Sequence, residues 1–201
     1  MAIVKTDYHQ PDFYHFNSDS IMLVDYIKSN YPSQMIGRVL DFCCGVGVVA
    51  LELSEYFEIQ DIVFFDIQSE YEEFIKKNIN LLDYQKDSVF VSSLDDLYSL
   101  DRSFDAIVIN PPYFLESASR LPESTKRKIA RFYKRGELEA IVRSALSQGA
   151  KGVKFFLCIK LDEHNRSELE FLRELESLEI KMVTLKKLTI FDITLTEDKL
   201  I

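Results

Sequence analysis

Apolar and polar positions along this 201-residue chain follow two periods. Continuous apolar runs at residues 38–42, 62–66, 88–92, 104–109 and 153–161 predict strands buried on both faces. Between them the apolar positions take helical spacing. Ile21, Leu23, Val24 and Ile27 predict a helix over residues 18–30 with Asn17 or Ser18 as its N-cap. Leu51, Leu53 and Phe57 mark a second helix. Phe74, Ile75, Ile79 and Leu82 mark a third, with Ser69 and Glu72 at capping-box spacing. Leu138, Ile141, Val142, Ala145 and Leu146 form a fourth stripe, with Gly149 placed as the C′ residue. Asn165 with Glu168 opens a fifth, through Leu169, Leu172, Leu175 and Leu178. Residues 181–187 and 188–195 read as two strands in succession, and residues 1–16 as an irregular arm without periodicity.

Strands alternating with helices predict an α/β, Rossmann-like fold: an open, mostly parallel seven-stranded sheet covered by helices on both faces, with an antiparallel hairpin at one edge. At 47% apolar and 28% charged the chain has the length and composition for one well-cored domain over residues 1–201, an arm and helix (1–37) preceding a core (38–201). No leader of charged and apolar residues and no run of ~20 apolar residues is present, so the expected location is the cytoplasm, away from membranes. The three cysteines, Cys43, Cys44 and Cys158, have no metal-ligand or disulfide spacing, and the expectation is reduced thiols and no metal.

In such sheets ligands sit outside the carboxyl ends of the strands. Four polar features fall there: Asp41 to Gly47, Asp66, Asp95 and Asn110. Gly45 and Gly47 let the backbone approach a ligand at the turn into a helix. No Lys-Ser/Thr follows them, which removes a P-loop, whereas Gly45-Val46-Gly47-Val48-Val49-Ala50 fits a relaxed dinucleotide pattern and leaves a nicotinamide or flavin cofactor open. Asp66, about twenty residues on, is placed to accept hydrogen bonds from ribose hydroxyls, or else to cap the next helix.

The strand Ile107-Val108-Ile109 runs out into Asn110-Pro111-Pro112-Tyr113-Phe114. Asn110 offers an amide acceptor and donor on a short arm, and the prolines stiffen the loop and free its carbonyls to face outward. Tyr113, with Phe114 beside it, supplies a flat face. These describe a slot for a planar group bearing an amine. The alternative is a plain turn in which Asn110 caps its own backbone and Tyr113 fills core.

Charge modifies this picture. A net charge of −9 argues against a polyanionic partner, yet Arg120, Lys126, Arg127, Lys128, Arg131, Lys134 and Arg135 face only Glu123 in one short stretch directly after the slot. That block reads either as a solvated helix face or as a phosphate grip for RNA.

Residues 39–47, Asp66, Asp95 and Asn110 to Tyr113 resemble the successive motifs of class I S-adenosylmethionine-dependent methyltransferases, and Asn-Pro-Pro-Tyr is similar to that of enzymes methylating adenine amines or glutamine amides. Gln10-Pro11, Tyr14, Phe16, Asp19-Ser20, Leu23, residues 110–114 and Ala130-Arg131 resemble the small methyltransferases that modify adenine next to the anticodon of valine tRNA. The resemblance implies S-adenosylmethionine as cofactor, held by Asp41, Cys43, Gly45, Gly47, Asp66, Ile67 and Asp95. It implies methyl transfer to the N6 amine of an adenine in tRNA or other RNA by Asn110, Pro111, Pro112 and Tyr113, with Phe114 and the seven cations on the RNA. A glutamine amide suits the same slot; its methyltransferases carry a substantial N-terminal helical domain, where about 37 residues precede the first strand here. A cofactor-binding module without turnover is the other alternative, against which the intact Asn110 to Tyr113 speaks.

Overall fold

A computed structural model describes residues 7–32, 37–100, 103–118 and 120–197. The parts of the expected arm at residues 1–6 lie outside them. Strands β1 (Arg38–Phe42), β2 (Asp61–Phe65), β3 (Asp87–Val91), β4 (Phe104–Ile109), β7 (Gly149–Ile159), β8 (Leu178–Leu185) and β9 (Leu188–Leu195) build one sheet in the order β3-β2-β1-β4-β7-β9-β8. Its first five strands are parallel, and β9 runs antiparallel to both neighbours, which confirms the edge hairpin. The strand order reverses between β1 and β4, so a crevice opens where these two end, at Phe42 and Ile109.

Burial explains why the central strands are apolar throughout. Val39, Ala106, Val108, Phe156 and Cys158 point to one face and pack under helices α1 (Ser18–Asn30), α2 (Val48–Ser54) and α3 (Tyr71–Leu81). Leu40, Ile107, Ile109, Phe155 and Leu157 point to the other, under α4 (Leu94–Ser99) and α6 (Glu137–Leu146). Each such aliphatic side chain, fully removed from water, contributes roughly 1.5–3 kcal/mol.

Helix α1 starts as expected, Asn17 Oδ1 accepting from Asp19 N at 2.8 Å. Other termini differ from the sequence reading. No side-chain cap forms at Ser69 and Glu72; α3 begins at Tyr71 after a backbone turn in which Tyr71 N bonds Gln68 O. The capping box of α7 (Glu163–Glu168) lies one turn early, between Asp162 and Asn165, because Asn165 is buried and its amide also bonds Lys160 O at 2.8 Å. The helix then stops, and Leu178 opens β8 instead of closing a helical stripe. Gly149 starts β7 and is no helix cap; a Cβ there would meet Val153 Cγ1 at 2.7 Å, so packing explains the glycine.

Helix α4 and the elements in and around the basic stretch were not anticipated. Helix α4 spans under two turns and is capped by Ser93, which accepts from Asp96 N at 3.1 Å. The basic stretch contains α5 (Thr125–Arg131) and is bracketed by a two-strand parallel ladder, β5 (Phe114–Leu115) with β6 (Phe132–Tyr133). Among the described residues no helix is long and apolar enough to cross a membrane.

Candidate active site

Three residues after β1 take the left-handed conformation: Cys43 (φ 61°), Gly45 (φ 52°) and Gly47 (φ 81°). At Gly47 a Cβ would stand 2.9 Å from the Phe64 ring, so the turn into α2 needs glycine for both reasons. At Gly45 nothing lies within 4 Å of where a Cβ would be, and the backbone faces open space. Asp41 is buried beneath this loop, its Oδ2 accepting from Ala50 N at 3.1 Å. Burial pushes its carboxyl up to about 8 against the effect of that bond. Its place is under the loop, bracing α2, rather than on a ligand.

Asp66, at the end of β2, is held from both sides. Oδ2 accepts from Gly45 N and Oδ1 from Gln68 N, each at 3.0 Å. Burial raises its pKa to about 6, with the two backbone bonds opposing the shift. Neither the alternative role as a helix cap nor the full strength of a free carboxylate applies: the group ties the tip of β2 to the glycine turn.

Asn110 follows β4 and is gripped by α1. Its Nδ2 donates to Ser20 Oγ at 3.1 Å, while Oδ1 is buried and unpartnered. An orphan acceptor of this kind costs about 1–3 kcal/mol unless something bonds it. Pro111 is buried and Pro112 half-buried. Tyr113 is turned inward, 7% exposed, its hydroxyl donating to Asp19 Oδ2 at 2.6 Å and accepting from Lys160 Nζ at 3.2 Å. Lys160 closes the group with an ion pair to Asp19 at 2.6 Å. Burial works to lower the Lys160 pKa, but its bonds to Asp19 and Tyr113 hold it above the ordinary value. The expected stacking face at Tyr113 is therefore corrected: the ring fills core, 4.8 Å from that of Phe114.

Between the glycine turn and Asn110 lies a cavity of about 330 Å³. Of the residues singled out from sequence, Cys43, Gly45, Asp66, Ile67, Asn110 and Pro112 line it. Asp41, Gly47, Pro111, Tyr113 and Phe114 are not part of its lining, and neither is Asp95, which stands exposed in the first turn of α4 beside the lining residue Leu94.

Residues 15–147 match the methyltransferase small domain. The chain belongs to that family. It is 30% identical over 118 residues to a ribosomal RNA small subunit methyltransferase C of Actinobacillus pleuropneumoniae, a match covering 58% of this chain and 35% of the relative. It is 29% identical over 101 residues to a release factor glutamine methyltransferase of Clostridium botulinum, covering 49% and 35%. The matched part thus spans about a third of each relative. In fold, a structure solved in complex with SAH matches with a TM-score of 0.62 at 13% identity, covering 90% of this chain and 50% of that one.

Several wall residues escaped the sequence reading. Gln68, 5% exposed, presents a second buried oxygen, Oε1, without a partner. Phe42, Phe65 and Ile141 make an apolar side, and Tyr14 of the arm with Ile129 and Ala130 of α5 close the cavity opposite. Tyr14 and Ala130 had a signal only in the family resemblance; Gln68 had none, since nothing local marks a glutamine as buried.

Most cations after the slot have internal partners. Arg127 donates to the carbonyls of Phe13 at 2.8 Å and Asp12 at 3.2 Å, and Lys126 pairs with Glu70 at 2.7 Å. Lys128 pairs with Glu116 at 3.1 Å, Lys134 with Glu137 at 3.8 Å, and Arg131 lies over the Phe114 ring at 5.3 Å. Arg120 and Arg135 are exposed. Helix α5 thus clasps the arm and, through it, holds Tyr14 on the cavity. Exposed ion pairs of this type contribute about 0–1 kcal/mol each. Among the described residues no three His, Cys, Asp or Glu side chains gather as a metal site requires.

Proposed function

We propose that this protein is an S-adenosylmethionine-dependent N-methyltransferase acting on the exocyclic N6 amine of an adenine in RNA, with tRNA as the substrate class and the cytoplasm as its location. The observation carrying this is Asn110, which lines the cavity together with Gly45 and Asp66 and whose buried Oδ1 has no hydrogen-bond partner.

The cavity suits the cofactor. Its volume of about 330 Å³ falls within the usual range for ligand sites. Gly45 leaves room for close backbone approach, Asp66 offers a carboxylate to ribose hydroxyls, and Phe42, Phe65 and Ile141 offer apolar surface to a purine. Ile67, 66% exposed at the rim, gains cover when a ring lies on it. S-adenosylmethionine, when bound, supplies an electrophilic methyl on a sulfonium sulfur.

The acceptor nitrogen is a poor nucleophile because its lone pair is delocalised into the purine. Asn110 Oδ1 and the Pro111 carbonyl accept its two N–H bonds, which favours a pyramidal nitrogen with its lone pair directed at the methyl. Positioning would supply most of the rate; as the nitrogen–carbon bond forms, the carbon–sulfur bond of the cofactor breaks to leave S-adenosylhomocysteine, and the nitrogen's surplus proton passes to water. Tyr113 being tied to Asp19, the stacking contact falls to Tyr14, the tyrosine of the arm that faces the cavity beside Pro112. Stacking of about 1–3 kcal/mol offsets part of the few kcal/mol needed to unstack a base from folded RNA. The cations of residues 120–135 lie next to this opening and provide the phosphate contacts.

The test is mass spectrometry of nucleosides from tRNA and rRNA incubated with the protein and labelled cofactor. N6-methyladenosine in tRNA is the expected product. Label confined to a release-factor glutamine peptide would defeat this reading and establish a second one, which the glutamine methyltransferase relative favours: a carboxamide NH2 makes the same two hydrogen bonds.

A further inference from the structure

The Asn110 amide needs its plane held in one place, and no hydrogen bond from its own loop holds it. The groups that do so come from the first turn of α1. Asp19 and Ser20 are consecutive there, both nearly sealed from solvent at 3% and 6% exposure. Asp19 takes the Tyr113 hydroxyl at 2.6 Å and Ser20 takes Asn110 Nδ2 at 3.1 Å, so one helical turn holds both ends of the Asn-Pro-Pro-Tyr loop. The turn is itself fixed: Asn17 caps it, Gln10 Oε1 accepts from Phe16 N at 2.9 Å, and Cys158 of β7 reaches the Asp19 carbonyl at 3.6 Å.

We propose that Ser20 is a positioning residue for the acceptor amine, holding the plane of the Asn110 amide so that its free edge faces the cavity. This rests on the methyltransferase reading above. A hydroxyl can bond either edge of an amide, so Ser20 sets the plane and the amine selects the oxygen. Without the hydroxyl, the Asn110 side chain turns about its terminal torsion, which is broad for an sp3–sp2 bond, and the acceptor edge is aligned only part of the time. Ser20 is not among the residues that line the cavity, so cofactor affinity is expected to be insensitive to it.

The experiment compares wild type, Ser20→Ala and Ser20→Thr in cofactor affinity by SAH calorimetry, melting temperature and steady-state kinetics on whichever acceptor the wild type labels. Ser20→Ala is expected to lower kcat by about 10- to 100-fold, with KM, SAH affinity and melting temperature near wild type. Ser20→Thr, which keeps the hydroxyl, should recover most of kcat if its melting temperature shows that the methyl is accommodated. A side-chain amide readout separates this inference from the reading beneath it. The 15N signals of the Asn110 NH2, identified by their loss in Asn110→Ala, should be sharp and slow to exchange in wild type and averaged in Ser20→Ala. Unchanged kcat together with unchanged amide signals in Ser20→Ala would overturn the proposal. So would a loss of SAH binding and melting temperature with kcat, which marks a merely structural role. A wild type that labels glutamine peptide in place of RNA overturns the adenine reading alone, and the same kinetics on the peptide then decide the role of Ser20. If the wild type labels neither, averaged amide signals in Ser20→Ala sustain the inference and unchanged ones sink it.

Discussion

Asp66 and Gly45 are joined by a 3.0 Å hydrogen bond from the Gly45 amide to the carboxylate, so the group placed to bind ribose also shapes the loop that approaches the cofactor. Because burial raises the pKa of Asp66 to about 6, its charge is lost in a range where the protein can be studied.

Cofactor affinity should therefore fall as pH drops through about 6, since the protonated carboxyl loses an acceptor site. The unliganded protein responds with the opposite sign. A carboxyl raised from 3.8 to about 6 on folding binds its proton more tightly in the native state, so its contribution to stability is greatest at low pH and is lost as pH rises across that window. SAH calorimetry between pH 5 and pH 8, expressed as ~tenfold per unit at most for one titrating group, checks the first. An affinity flat across that range would remove Asp66 from the site.

The two loop glycines should fail differently. Gly45→Ala places a methyl in open space at a left-handed residue, costing about 1–2 kcal/mol of stability, and obstructs the cofactor. Gly47→Ala adds a clash with Phe64 to the same backbone strain, so its loss on urea unfolding should exceed that of Gly45→Ala by about 1–3 kcal/mol. Equal destabilisation of the two variants would show that Phe64 moves aside freely.

Removing Lys160 tests the support behind the acceptor loop. Lys160→Met leaves Asp19, 3% exposed, without its ion-pair partner and with the Tyr113 hydroxyl and the N-terminal turn of α1 to offset its charge. A fully buried pair broken in this way costs about 3–5 kcal/mol, but the Lys160 side chain is 37% exposed, so water reaches the site and about 1–3 kcal/mol is expected. Chemical denaturation measures it, and a variant as stable as wild type would mean that Asp19 takes up a proton or another partner.

The basic stretch predicts a salt signature. Replacing Lys126, Arg127 and Lys128 with Ala should weaken RNA binding and flatten the slope of log affinity against log salt by about one unit per lost phosphate contact. Anisotropy titrations at several salt concentrations report it. A slope equal to wild type would confine these residues to their pairs with Glu70, the arm and Glu116, and remove them from the RNA surface.

What the sequence determined by itself was whatever depends on neighbours in the chain. Periodicity located the seven strands of the sheet and the helices on both its faces, because apolar spacing reports which side of a segment is buried. The glycine turn at Gly45 and Gly47 and the strand ending at Asn110 were legible for the same local reason. The tertiary structure decided where the side chains around that strand end point. Asn110 meets Ser20 across 90 residues, Tyr113 meets Asp19 across 94, and Arg127 meets the arm across 114. No local pattern records such pairings. They decide that Tyr113 is core and not platform, that Arg127 binds the protein's own arm, and that Asn110 Nδ2 is taken by Ser20 while its oxygen has no partner. A side chain's role at a strand end is set by its hydrogen-bond partner and its burial, and both exist only once the helix before β1 has packed against the loop after β4.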